Sequence, residues 1–431
     1  MFWDEAVETI ARHDLEQLQV QRLRQTLAQA FRSPFYRKAL AGCPAPDEVK
    51  DVRDIRAFPF TSKADLRTAF PYGMLAVDRD DIVRMHSSSG TTGRATVIYH
   101  TMRDIENWAD IMARSIYMAG VRKSDVFQNI IGYGLFTGGL GFHYGMEKVG
   151  AMVIPSGAGN TRRQIMLMQD FGTTVIHATP SYALHLADAF AEMGLTPARA
   201  THLRIGFFGA EPYSRAVQDR LEQLYGIMAL NSYGLSEMNG PGVGMECPHR
   251  SGIHLWEDHF VVEVIDPLRL EVLPDGIPGE LVLTTLQREG MPVLRYRTGD
   301  LTMVQPEPCP CGRTHRTISR ITGRTDDMLI IRGVNIFPMQ IERVLMDTPQ
   351  MGNNYQIMLT TREHLDEIVI KAEVVDEAMF ANPEALKQLQ ARLVHELRSE
   401  LLITPRIELL KPHSLPKSEG KAVRVLDQRE K

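Results

Sequence analysis

SSSGTTGRAT, residues 87–96, is a stretch in which every position but Arg94 is small, hydroxyl-bearing or glycine. Gly90 and Gly93 permit backbone conformations that turn successive N–H groups to one concave side, and Ser87, Ser88, Ser89, Thr91 and Thr92 add rotatable hydroxyl donors around it. Such a loop suits a polyphosphate. Strand-like residues 81–86 precede it and 96–99 follow it, so the loop joins two strands and does not open a helix. The GxxxxGK[ST] spacing is absent, which disfavours a P-loop NTPase. In isolation an ordinary Ser/Gly surface turn would read the same way.

Around this loop the pattern is that of a layered α/β body. AMVIPSG, TTVIHATP and LRIGFFGAEP are short apolar strands separated by helix-length segments near 162–169 and 182–191, which predicts a parallel sheet with helical crossovers. A helix is expected over 104–118, and helical periodicity over 4–40 until Ser33-Pro34 interrupts it. Residues 132–145 hold six glycines among Tyr133, Phe136, Phe142, His143 and Tyr144, a composition that lets aromatic rings or a ligand approach the backbone. Residues 258–304 read as strand-rich. After GRTDD the pattern becomes a small α+β unit with strands at 354–359 and 367–374, an amphipathic helix at 383–402 and a strand at 406–410. The expected division is 1–325 and 326–431.

The chain has 431 residues, 44% of them hydrophobic, enough for more than one core. With 48 basic against 53 acidic residues and a net charge of −5, composition makes no electrostatic case for nucleic acid or an anionic membrane. Asp4 and Glu5 stand where a secretory signal would be basic, and no apolar run approaches the ~18 residues of a membrane span. A cytoplasmic protein is expected. Of four cysteines, Cys309 and Cys311 flank a single proline; with Cys247 they make three thiols. A structural zinc site of Cys247, His254, Cys309 and Cys311 is expected, with His249 and His315 as alternative imidazoles and free reduced thiols as the competing reading.

Further motifs follow the glycine-rich loop in order: SYGLSE (232–237), YRTGD (296–300), GRTDDMLIIRG (323–333) and LPKSEGKAVR (415–424). Together they resemble the adenylate-forming superfamily of acyl-CoA synthetases. IGYGLFTGGLGFHYGMEKVGA (131–151), FFGAEP (207–212) and GIHLWEDHF (252–260) are similar to its phenylacetate-CoA ligase branch. The resemblance implies a large N-terminal α/β domain and a small mobile C-terminal α+β domain, with ATP, Mg²⁺, coenzyme A and a small aryl acid as ligands, and it admits a homodimer. It implies nucleotide contacts from Ser87, Ser88, Ser89, Gly90, Thr91, Thr92 and Gly93, from Gly209, Ala210, Glu211 and Pro212, and from Ser232, Tyr233 and Gly234. Asp300 would accept the ribose hydroxyls, Arg324 would contact the nucleotide, and Glu237 would hold Mg²⁺, an ion that takes oxygen ligands. Tyr133, Phe136, Gly234, Pro241 and Gly242 would line the acid pocket. Lys421, with Lys417 as its nearest rival, would neutralise charge during adenylate formation; Asp326 would be the hinge, and Gly333 would let pantetheine pass. Arg94-Ala95 replaces the Lys-Pro common in related sequences, which keeps the charge but alters loop rigidity.

The reading that follows is an ATP-dependent phenylacetate-CoA ligase. The alternatives are adenylation with a non-CoA acceptor and a nucleotide-binding scaffold with a degenerate site. Intact Glu237, Asp300, Arg324 and Lys421 argue against the scaffold.

Overall fold

The protein is described by a computed structural model covering residues 1–88, 95–332, 334–362, 365–416 and 422–429. An eight-stranded sheet runs, in spatial order, Thr317–Ile318, Ile253–Leu255, Gly240–Glu246, Met228–Leu235, Ile205–Gly209, Val175–Ala178, Val126–Asn129 and Met152–Ile154. From Met228–Leu235 onward the neighbours are parallel, as the strand-helix alternation predicts. The remaining strands add antiparallel at one edge.

Helices cover both faces, and the strand Ile205–Gly209 shows why its run is apolar throughout. Phe207 packs with Phe142 and Trp108 beneath the helices Met102–Met118 and Gly138–Val149. Phe208, pointing the other way, joins Leu186, Phe190 and Leu221 of the helices Pro180–Glu192 and Arg215–Tyr225. Thr101 and Asp104 start the first of these helices with reciprocal side-chain to backbone bonds. Asp104 also accepts from the backbone N–H groups of Glu289 and Gly290, tying that helix to the neighbouring turn.

A second, antiparallel sheet of Phe260–Ile265, Gly279–Thr285, Tyr296–Thr302 and Gly323–Arg324 carries Asp300 opposite Arg324. The N-terminal helix Arg12–Ala30 packs where GIHLWEDHF turns between the sheets. Glu257 is fully buried and paired with Arg12 and Arg316, and Asp258 is paired with Arg114 and Arg22. Burial opposes ionisation of Asp258, but His259 and Arg114 outweigh it and hold the carboxyl below its usual range. This motif is therefore an internal charge hub, joining parts of the chain far apart in sequence.

Among the described strands, those from Leu329 onward pair only with one another. A hairpin of Leu329–Ile331 and Val334–Ile336 leads to the helix Pro338–Met346. A four-stranded sheet follows, in the order Arg406–Leu410, Leu365–Val374, Met351–Arg362 and Val425–Asp427. The helix Pro383–Leu401 buries Leu389, Leu393, Leu397 and Leu401, the spacing expected of one helical stripe. The hairpin, the helix Pro338–Met346 and the last strand go beyond the sequence-based expectation. This unit sits on the helices Pro180–Glu192 and Arg215–Tyr225: Glu342 accepts from Ser214 N at 2.8 Å and from Tyr355 Oη at 2.8 Å, and Arg220 donates to Met351 O. No helix among the described residues is long and apolar enough to cross a membrane.

Candidate active site and cysteine cluster

The strands Arg84–Ser87 and Val97–His100 form an antiparallel pair, so the Ser/Thr/Gly loop spans a hairpin. Ser89, Gly90, Thr91, Thr92, Gly93 and Arg94 lie outside the described residues, as do Gly333, Lys417 and Lys421. At the base of the loop Ser87 N donates to Leu135 O and Ser88 N to Thr96 O. Thr96 Oγ1 then reaches Glu237 Oε1 at 3.5 Å. Glu237 follows the strand Met228–Leu235 in a single turn of 3₁₀ helix and is 5% exposed. Its carboxylate also faces the Tyr296 hydroxyl, and its backbone carbonyl accepts from the buried Arg288. A carboxylate so weakly engaged, beside a hydroxyl-rich loop, fits an oxygen ligand for Mg²⁺.

The turns at the carboxyl ends of two adjacent parallel strands complete the crevice, where an open α/β sheet binds ligands. Gly209 approaches Ser232 so closely that a Cβ would lie 2.2 Å from Ser232 O, and Gly234 meets Gly240 O in the same way at 2.1 Å. Ala210 follows with φ 68°, a left-handed backbone that a residue with a Cβ adopts uncommonly. Glu211 accepts from Ser181 N at 2.7 Å and from Ala422 N at 3.2 Å. It therefore links the turn to the C-terminal segment.

Tyr233 Oη donates to Asp300 Oδ2 at 2.6 Å, and Arg324 Nη1 donates to Asp300 Oδ1 at 2.5 Å. Burial raises the Asp300 pKa against the pull of Arg324. Each carboxylate oxygen keeps a second lone pair for a ribose hydroxyl. Arg324 also donates to Asp326 through Nε at 2.8 Å and Nη2 at 3.1 Å. A cavity of about 480 Å³ opens between the large body and the C-terminal unit, with Glu211, Pro212, Arg324 and Asp326 on its wall and Ala422 and Arg424 opposite.

A second, smaller cavity of about 40 Å³ lies beneath Ala210 and Gly234, lined also by Phe136, Thr137, His177 and Pro241. Engineered apolar cavities of about 150 Å³ take benzene, so a ring must displace a lining group to enter. Phe136 is 43% exposed, placed to yield. Tyr133 and Gly242, expected here from the sequence, do not line this cavity. The Tyr133 hydroxyl is held by Asn129 and His143, and a Cβ on Gly242 would meet Met112 of a neighbouring helix. His177 is the liner that sequence reading missed. Its one legible signal was a histidine near the carboxyl end of a parallel strand, beside FFGAEP.

Away from the crevice, Cys247, His254, Cys309 and Cys311 bring four ligand atoms within 4.8 Å of one another. Cys247 Sγ lies 3.5 Å from Cys309 Sγ, and Cys311 Sγ 3.4 Å from His254 Nε2. A tetrahedral zinc with Zn–S near 2.3 Å sets sulfur atoms about 3.8 Å apart, so the donor set fits that ion. The hydrogen bond from Cys247 and the adjoining His254 ring pull the Cys311 thiol down. Of the alternative imidazoles, His315 binds Glu257 N and Val7 O through its two nitrogens, and His249 is exposed and outside the cluster.

Residues 17–287 match the AMP-binding enzyme family, and residues 333–429 match the AMP-binding enzyme C-terminal domain. A phenylacetate-coenzyme A ligase of Aromatoleum evansii is 44% identical over 99% of this chain and 97% of its own length. A phenylacetate-coenzyme A ligase of Pseudomonas putida is 46% identical over 98% of this chain and 96% of its own. Among solved structures, 2-hydroxyisobutyryl-CoA ligase in the postadenylation state, in complex with R3-HIB-AMP, aligns with TM-score 0.93 at 29% identity, covering 99% of this chain and 92% of that one. The same ligase in the thioesterification state, in complex with 2-HIB-AMP and CoA, aligns with TM-score 0.74 at 30% identity, covering 100% and 93%.

Proposed function

We propose that this chain, which belongs to the phenylacetate-coenzyme A ligase family of AMP-binding enzymes, joins phenylacetate or a close aryl acetate to coenzyme A with ATP, through an acyl-adenylate. Identity of 44–46% along nearly the whole of two phenylacetate-coenzyme A ligases carries the reading. Arg324, paired with Asp300, shares a cavity wall with Glu211 and Pro212 of the GAEP turn, and Tyr296 feels the charges of Glu237, Asp300 and Arg324 together, which supports it.

A carboxylate is anionic and resonance-stabilised and lacks a good leaving group, so it is activated first. Its oxygen attacks the α-phosphorus of ATP, the bond to the bridging oxygen breaks, and pyrophosphate leaves with that electron pair. The CoA thiolate then bonds the acyl carbon and AMP departs. In the first step the hydroxyls and N–H groups of the Ser/Thr/Gly loop would surround the phosphates, while Tyr233 and Arg324 hold Asp300, which would accept the ribose hydroxyls. Glu237 would hold Mg²⁺, which supplies charge neutralisation across the phosphate oxygens. Lys421 would add a cation only while the C-terminal unit is closed over the crevice, with Asp326 as the hinge at the boundary between 1–325 and 326–431. Gly333 would admit the pantetheine arm in the other orientation. The higher TM-score against the postadenylation state supports assigning the present arrangement to the adenylation side of the cycle.

The acid is read out by pyrophosphate release across a panel of acids, with and without CoA. Phenylacetate is expected to exceed octanoate in kcat/KM, with about tenfold or more discrimination from the narrow slot. Comparable values for octanoate contradict the aryl assignment. Pyrophosphate release with no thioester formed on adding CoA points to a different acceptor.

The proposal includes a structural zinc held by Cys247, His254, Cys309 and Cys311, since a fully ligated ion has no open position for substrate. The turn bearing Cys309 and Cys311 continues into Arg313 and Thr314, which bind the buried Glu8 and Ile10 of the N-terminal segment. Elemental analysis of protein purified without chelator is expected to find about one zinc per chain. Cys309→Ser with Cys311→Ser should abolish it and lower Tm by several degrees; metal content at background refutes the site. All four cysteines are free of disulfides, in keeping with a cytoplasmic location.

A further inference from the structure

Ser214 caps the start of the helix Arg215–Tyr225, its Oγ accepting from Val217 N at 3.3 Å. In a capping box the return bond, to the cap's own N–H, comes from a Glu or Gln three residues on. Here that position is Val217, whose side chain has no acceptor, and Ser214 is buried. A buried backbone N–H without a partner is unfavourable, so the acceptor has to reach it from elsewhere in the fold.

Glu342 supplies it from the C-terminal unit. Its Oε1 accepts from Ser214 N at 2.8 Å, and its Oε2 accepts from Tyr355 Oη at 2.8 Å. Glu342 stands on the helix Pro338–Met346 and Tyr355 on the strand Met351–Arg362, so two elements of one unit fix a carboxylate that caps a helix of the other. The carboxylate is buried, and the tyrosine sets its direction in advance. The helix it meets has 11 residues, and its positive end favours an anion. Turning the C-terminal unit away from the large body breaks the bond to Ser214 N and leaves the bond to Tyr355, which lies within the unit.

We propose that Glu342 is a positioning residue for the first half-reaction: by accepting from the N–H of Ser214 it holds the C-terminal unit in the orientation that forms the adenylate. This rests on the alternation of that unit proposed above and names the contact that biases it.

The test measures the two half-reactions separately with each saturated: acid-dependent pyrophosphate release, and thioester formation from supplied aryl-adenylate and CoA. Each rate scales with the population of the orientation that carries it, so their ratio follows the equilibrium between orientations wherever that equilibrium lies. Glu342→Ala is expected to raise the ratio of thioester formation to pyrophosphate release about tenfold, the bias of one charge-assisted hydrogen bond. Glu342→Gln keeps an acceptor for Ser214 N and can donate to the Tyr355 hydroxyl, so its ratio should lie within about threefold of wild type. Tyr355→Phe keeps the ring and releases Oε2; it should shift the ratio in the same direction as Glu342→Ala, and it carries the test should Glu342→Ala not fold. An unmoved ratio in the folded variants, whether the two rates stay intact or fall together, overturns the assignment. A shift in Glu342→Gln equal to that in Glu342→Ala also overturns it. Failure of the alternation itself looks different, because both half-reactions then fall in parallel in Lys421→Ala, whereas failure of the Glu342 contact alone leaves Lys421→Ala selective for the first.

Discussion

Lys421→Ala should lower acid-dependent pyrophosphate release by about two orders of magnitude or more, the scale expected when an electrostatic contact made in the transition state is removed. Thioester formation from supplied aryl-adenylate and CoA should stay within about threefold of wild type, because on the proposed alternation Lys421 has left the crevice with the C-terminal unit before that step. The asymmetry follows from where the neighbouring chain lies. Ala422, the next residue, donates to Glu211 in the turn at the end of the strand Ile205–Gly209. A lysine is a compact cation on a flexible stem, the kind of group that would enter the nucleotide crevice and leave it with its segment. Measuring the two half-reactions separately in folded Lys421→Ala protein checks this. Parallel loss of both would contradict domain alternation.

Asp326→Pro should slow thioester formation about tenfold or more beyond any effect it has on adenylation, since a proline fixes φ at the position about which the C-terminal unit would turn. The Asp326 carboxylate also holds Arg324, so its loss has a separate effect on the nucleotide side. Asp326→Ala removes the carboxylate without stiffening the backbone. The rate of Asp326→Pro relative to Asp326→Ala in the second half-reaction therefore isolates the hinge. Equal rates for the two variants would move the pivot elsewhere in 322–334. The spread of TM-scores, 0.93 against 0.74 for two states of one ligase at nearly the same identity, is the size of rearrangement this test addresses.

Local chemistry was legible without coordinates. Hydroxyls and glycines in residues 87–96, apolar strands alternating with helices, and leucines four apart in Pro383–Leu401 depend on short-range periodicity and on backbone preferences that each residue carries with it. The change of pattern near GRTDD was likewise visible in the sequence, and the described strands from Leu329 onward pair only with one another. Cys309 and Cys311 stood out by their spacing and His254 by its place inside GIHLWED, and the fold brings them together with Cys247.

What only tertiary structure decided is which side of an element meets which cavity, and which distant charges meet. Tyr133 stood in the motif and Phe136 three residues on, yet of the two only Phe136 lines the small cavity beneath Ala210 and Gly234, while the Tyr133 hydroxyl is held by Asn129 and His143. His177 lay in a run that reads as plain buried strand, and a uniformly apolar strand covered on both faces carries no alternation to mark its functional end. Glu257 and Asp258 likewise read as part of a motif, and only the folded chain shows them neutralising Arg12, Arg316, Arg22 and Arg114. Those partnerships rest on sequence separations that no local rule spans; burying a charge is unfavourable unless a partner arrives, and only the packing of the whole body brings it there.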